Sequence, residues 1–203
     1  MTRMPRFVPP CSPVLGKVPP LASGWVHEVK FDGWRLQVHK HGEDVRFYSR
    51  NGRDLKRRFA ELRDHVLYLP DCIVDAELVA CDTDGKPDFQ ALMRKDPNLC
   101  VWCFDLLEVG GADLRALPLI ARKDKLREML IAADDDRVRY SEEFPDPVKL
   151  LAVVEKMGLE GVVSKRADAP YRSGPQKDWV KVKARGWREA NANRWEQLHR
   201  RSS

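Results

Sequence analysis

The sequence predicts an α+β domain in which mainly antiparallel sheets are flanked by helices. Apolar and polar residues alternate in a series of short stretches joined mostly by connections of hairpin length. Helical spacing recurs only in single stretches set between them, not after every strand as a doubly wound parallel sheet would need. Gly-x-Gly-x-x-Gly is absent, as is a glycine-rich loop ending in Gly-Lys-Ser/Thr, so a bound nucleotide needs another holding device. With 203 residues, 43% hydrophobic and 33% charged, the chain makes one ordinary domain with at most a tail, a composition that disfavours disorder throughout.

Residues 1–23 carry Pro5, Pro9, Pro10, Pro13, Pro19 and Pro20 and are expected to form an extended lead-in. Proline removes backbone donors and fixes φ, so no regular structure is expected before Gly24. Trp25, His27, Val29 and Phe31 then alternate with Val26, Glu28 and Lys30, and after Asp32-Gly33 the residues Trp34, Leu36 and Val38 alternate with Arg35, Gln37 and His39. The two stretches are expected to pair as a hairpin. Residues 46–50 read as a third strand closed by Asn51-Gly52. Asp54 stands where it would cap a helix carrying Leu55, Phe59, Leu62 and Val66. Period two returns over 73–81, with Asp75 and Glu77 on the face opposite Val74, Ala76, Leu78 and Ala80. A strand over 99–107 leads to Gly110-Gly111. Helices follow near 119–131 and from Asp146-Pro147, a cap with proline at the first helical position, to about Gly158. Strands at 160–165 and 178–184 close the series, and no internal repeat is visible.

Charge is uneven along the chain. From residue 165 onward 11 Lys and Arg stand against 4 Asp and Glu, net +7, while the whole chain carries +5. A basic end of this kind suits a surface that meets phosphates, although solvated basic tails are common. No apolar run approaches the roughly 18 residues of a membrane helix, and the basic, proline-rich start lacks the apolar core of a secretory signal. The cytoplasm is therefore the expected location. Five cysteines do not suggest a disulfide framework in such a chain. Cys100 and Cys103 lie three apart on a strand, facing opposite sides, and are expected to be packing residues. His27 is expected in the core.

The sharpest local cluster is Glu28-Val-Lys30-Phe-Asp32-Gly33-Trp-Arg35. Alone it has two readings, a surface ladder of charge pairs or a lysine nucleophile with an arginine holding an anionic substrate. The last strand adds an observation. Lys181 and Lys183 share a face opposite Val180 and Val182, and two ammonium groups side by side repel unless an anion lies near. An edge strand guarded by lysines is the alternative.

The cluster has company in a fixed order. Lys30-x-Asp32-Gly33, Ser49-Arg50-Asn51-Gly52, Asp75-Ala-Glu77, Phe104-Asp105-Leu106, Glu160-Gly161-Val-Val-Ser-Lys165 and Trp179-Val-Lys181-Val-Lys183 resemble the successive motifs of the covalent nucleotidyltransferases. Within them the chain most resembles ATP-dependent DNA ligases of the bacterial end-joining type, from about Val14 to Lys183. Pro170-Tyr171-Arg172-Ser173-Gly174 adds to that likeness. The resemblance implies an ATP-grasp-like nucleotidyltransferase fold and a function in DNA strand joining during repair and recombination.

It also implies roles. Lys30 would attack the α-phosphate of ATP, expel pyrophosphate and hold AMP as a phosphoramidate, with Asp32 and Arg35 completing the catalytic set. Nearby positive charge would help deprotonate Lys30. Glu28 would meet the adenine amino group, Phe104 would stack on adenine, and Arg35 and Arg50 would contact sugar and phosphate or the DNA 5′-phosphate. Lys181 and Lys183 would hold the α-phosphate. Mg²⁺ would be held by Glu160 and Glu77, with Glu77 alternatively on the ribose and Asp75 behind it. The partner would be nicked or broken double-stranded DNA in the bacterial nucleoid. Family members continue into an OB-type domain, which residues 186–203, a basic tail, cannot form. The expected organisation is thus a nucleotidyltransferase domain over 24–185 that takes an OB domain or end-joining partner in trans. An RNA ligase or capping-type enzyme, and a degenerate paralogue that only binds DNA ends or partners, are the alternatives.

Overall fold

The computed structural model describes residues 4–81, 91–92 and 98–190. One sheet orders β1 (Cys11–Leu15), β11 (Gly174–Lys183), β10 (Gly161–Arg166), β2 (Trp25–Lys30) and β9 (Glu143–Phe144). The other orders β4 (Asp44–Ser49), β3 (Trp34–His41), β5 (Cys72–Ala80), β6 (Leu99–Val109) and β7 (Ala112–Asp113), with β8 (Val138–Tyr140) beside β6. Helices α1 (Arg63–Val66), α2 (Leu119–Ala133), α3 (Pro147–Lys156) and α4 (Arg185–Ala190) accompany the sheets. Pairing is antiparallel except between β1 and β11 and between β6 and β8, which agrees with the expected α+β class. No helix among the described residues is long and apolar enough to cross a membrane.

Alternation explains the layers. Leu36, Val38, Val74, Ala76 and Leu78 turn one face of the second sheet into the main core, where Leu126, Met129 and Leu130 of α2 pack. The opposite face carries Arg35 across from Glu77 and Gln37 across from Asp75. This charged face looks toward the first sheet across a small apolar cluster that includes Phe104, Tyr171 and Trp179. Helix α3 follows its sequence signal: Asp146 accepts hydrogen bonds from the amides of Val148 and Lys149, both at 3.0 Å, with Pro147 next. Its Leu150 and Val154 cover Val162 and Ala184 on the outer side of the first sheet.

Three expectations are corrected. The lead-in contains a strand, because β1 lies at the sheet edge, where Pro13 needs no ladder donor, and the register slips between Pro13 and Val14. The stretches around Asp32-Gly33 do not form a hairpin, since β2 pairs with β10 and β9 while β3 pairs with β4 and β5. Asp54 caps no long helix: its carboxylate takes the Lys56 amide at 2.8 Å in a local turn, and only a 3₁₀ turn (Ala60–Leu62) and α1 follow. The apolar residues nevertheless reach the core, with Phe59, Leu62 and Val66 buried. The tail beyond residue 190 lies outside the described residues.

Candidate active site

Lys30 ends β2, opposite Gly161 of β10. Its Nζ donates to Glu160 Oε2 at 2.6 Å, and Lys183 Nζ stands 3.2 Å from Glu160 Oε1, so one carboxylate bridges two ammonium groups. Both motif glycines are required by close approach. A Cβ on Gly33 would lie 2.2 Å from the Leu78 carbonyl oxygen, and one on Gly161 would lie 2.0 Å from that of Val182. These contacts seat the Lys30 strand and the crossover to β3 against their neighbours.

Beside Lys30 opens a cavity of about 400 Å³ whose lining includes Arg35, Ser49, Arg50, Glu77 and Lys181. Burial lowers the Lys181 pKa, and the positive charges of Lys30, Arg50 and Lys183 lower it further. Glu77 behaves oppositely. Burial pushes its carboxyl up to about 7, only partly offset by Lys30 and Arg35. It makes no ion pair or hydrogen bond among the described residues, so its oxygens remain available.

A smaller cavity of about 80 Å³ adjoins the first through Pro13, Lys30, Arg35 and Glu77. Phe104, Val163 and Trp179 supply its apolar walls and Glu28, Ser141 and Lys165 its polar groups. Phe104 reaches it because β6 is irregular against β5: the register skips Phe104 between Cys103 and Asp105, turning its ring away from the main core. Glu28 is buried, accepting from Lys165 Nζ (2.8 Å) on Oε1 and from Ser141 Oγ (2.8 Å) on Oε2. Burial lowers the Lys165 pKa against the pull of Glu28. Arg35 stands between the cavities, its guanidinium bidentate on Asp75 (2.6 and 2.5 Å) and 4.5 Å over the Phe104 ring. Tyr171 donates to the same Asp75 at 2.6 Å and accepts from the Cys11 amide at 3.0 Å.

Glu28, Lys30, Arg35, Arg50, Glu77, Phe104 and Lys181 thus line the two adjoining cavities, with Glu160 and Lys183 tied to Lys30 through their ion pairs. Asp32 lines neither cavity. Asp75 does not sit behind Glu77; it holds Arg35. Strand β11 is interior, between β1 and β10, so its lysines do not guard an edge. The Lys30 segment is no surface ladder either, since Glu28 is buried and Lys30 half-buried. Cys100, Cys103 and His27 are buried, the thiols free and His27 Nδ1 2.8 Å from Ser164 Oγ. Sequence reasoning placed Lys165 at the end of a motif without giving it a role, and missed Lys123. Lys165 shares its strand face with Val163, the residue opposite Glu28, a parity that could have flagged it. The largest groove described, about 730 Å³ between α3 and Trp102, is apolar and holds none of the motif cations.

A lysine where a basic cavity meets an aromatic one, with carboxylates at hand, is the arrangement of a covalent nucleotidyltransferase. The chain belongs to the ATP-dependent DNA ligase domain family, whose profile matches residues 19–183. The multifunctional non-homologous end joining protein LigD of Pseudomonas aeruginosa is 38% identical over 190 residues, 90% of this chain and 22% of that protein. A probable DNA ligase of Mycobacterium sp. (strain KMS) is 36% identical over 170 residues, 78% of this chain and 33% of that protein. Among solved structures, mycobacterial DNA ligase D complexed with ATP and MES superposes with a TM-score of 0.75 at 33% identity, covering 86% of this chain and 59% of that one. The chain therefore spans between about a fifth and three fifths of these relatives.

Proposed function

We propose that this domain forms a lysyl-AMP intermediate from ATP for DNA strand joining. The observation that carries the reading is the position of Lys30 at the junction of the two cavities, one suited to a base and the other to phosphates. Adenine lies against Phe104 with its amino group toward Glu28, the ribose passes Arg35, and the phosphates lie among Lys181, Lys183 and Arg50. Lys30 Nζ, held at 2.6 Å by Glu160, loses its proton to solvent, parts from that carboxylate and attacks the α-phosphorus. An N–P bond forms as the P–O bond to pyrophosphate breaks.

Glu77 fits a divalent cation, being a half-buried carboxylate in the cavity with its oxygens unspent. Glu160 would be the second carboxylate, its oxygen freed when Lys30 is no longer an ammonium. A divalent ion such as Mg²⁺ held by these two carboxylates would supply positive charge to the oxygens of the transferring phosphoryl group. AMP then passes to the 5′-phosphate of broken or nicked DNA, and the 3′-hydroxyl displaces it. The nucleotidyltransferase unit comprises residues 24–185 together with β1, and an OB domain or end-joining partner engages the DNA with it. That substrate places the protein at the bacterial chromosome, in the cytoplasm.

Incubation with ATP labelled at the α-phosphate and Mg²⁺ should give protein-bound label that unlabelled ATP competes away and GTP does not. Lys30→Ala should reduce the label at least a thousandfold; label surviving that substitution overturns the assignment.

A further inference from the structure

Glu28 is held by more than its own sheet. From α2, Lys123 reaches this carboxylate with no exposed side-chain surface, and its Nζ lies 3.1 Å from Glu28 Oε1. The same ammonium lies 3.1 Å from Glu143 Oε1, donates to the Ser141 carbonyl oxygen at 3.1 Å and rests 4.5 Å over the Tyr140 ring. A buried ammonium persists only with such partners. Burial alone would lower the Lys123 pKa, yet Glu28, Tyr140 and Glu143 outweigh it and hold the group charged. Glu143 is fixed in turn by Tyr140 and by Arg127, the latter at 2.8 Å.

A carboxylate offers about four lone-pair positions. Lys165 and Lys123 both lie on Oε1 of Glu28, while Ser141 takes one position on Oε2. The spare capacity is therefore on Oε2, in a group that cannot rotate without giving up two ammonium partners. Ser141 is drawn into the same lock, its carbonyl on Lys123 and its hydroxyl on Glu28.

We propose that Lys123 is a positioning residue for base recognition: it fixes the Glu28 carboxylate so that the open position of Oε2 meets the exocyclic amino group of adenine. The inference rests on the reading of Glu28 as the adenine contact. Lys123 touches no substrate and acts through Glu28, so its effect belongs to the amino group and not to the rest of the nucleotide.

The experiment compares ATP with purine riboside triphosphate, which lacks only the amino group and keeps the ring nitrogen that Lys165 could meet. Dissociation constants are measured by calorimetry without divalent metal, so that no phosphoramidate forms. Wild-type protein should prefer ATP. Lys123→Met should weaken ATP on the order of tenfold, the size of one charge-assisted hydrogen bond, and leave the analogue within about twofold. If thermal melts show that variant unfolded, Lys123→Gln, which keeps a donor without the charge, should show the same selectivity loss at about three- to fivefold. Equal weakening of both nucleotides, or unchanged binding of both, overturns the inference. Wild-type protein that binds the two equally overturns the reading of Glu28, and this inference with it.

Discussion

At the end of the site proposed for the base, Glu28 and Glu143 face Lys123 and Lys165, so charge cancels and only one position on Glu28 Oε2 stays open. The phosphate end is built differently: Lys30 and Lys183 share one carboxylate, Lys181 feels Lys30, Arg50 and Lys183 as like charges, and Glu77 is driven toward its neutral form by burial. The first arrangement spends its electrostatics on holding a shape. The second leaves positive charge uncompensated, which weakens the empty protein and rewards an arriving anion. One end is electrostatically settled in the empty protein and the other is not.

Substitutions should therefore act with opposite sign at the two ends. The largest effect is expected at the base end, where Lys165→Met strips Glu28 of its 2.8 Å partner within the fold. Breaking a buried pair of this kind costs about 3–5 kcal/mol, measured by denaturant unfolding. A loss below about 1 kcal/mol would erase the contrast.

Next comes Glu77→Gln. The folded-state pKa of Glu77, about 7, stands above its ordinary 4.5, so the native state holds the proton more tightly than the unfolded chain. That contribution to stability is complete below about pH 4.5 and is lost as pH rises through about 7. Glutamine has no proton to lose. The variant's advantage in metal-free unfolding measurements should thus grow by about 2–3 kcal/mol between pH 4.5 and 8. A pH-independent difference would mean that Glu77 is solvated more like an ordinary surface carboxylate.

The smallest effect lies at the end where like charges crowd. Lys181→Met, removing one of several like charges, should leave the empty protein unchanged or stabilised by about 0.5 kcal/mol. Added pyrophosphate should then raise the melting temperature of the wild type more than that of the variant. Destabilisation of the empty variant comparable to that of Lys165→Met would show that the two ends are alike.

Much of this was legible in the residues, for reasons that also mark the boundary. Alternation identified the strands, and the Asp146-Pro147 cap identified α3, because both signals are local. The motif order brought Glu28, Lys30, Arg35, Glu77 and Phe104 to one place. Partnership was not legible: a turn-like Asp32-Gly33 between two alternating stretches has the form of a hairpin, yet Gly33 lets the chain pass against Leu78 as it leaves one sheet for the other. The proline content of the lead-in concealed β1, whose pairing partner comes late in the chain. Lys123 lay on a helix whose spacing gave no hint of an ammonium turned inward, since only the tertiary neighbours Glu28 and Glu143 make that burial tolerable.

The pairing of β1 with β11 bears on when the site comes into being. Cys11 meets Tyr171 across 160 residues, and Leu15 pairs with Lys181, so this wall of the cavity depends on contacts of very long sequence separation. Closing so long a loop is slow and comes after the local strands have formed. On a ribosome the first strand must wait until the last has emerged, so the growing chain cannot complete its phosphate cavity, nor trap a nucleotide there, before the domain is fully made.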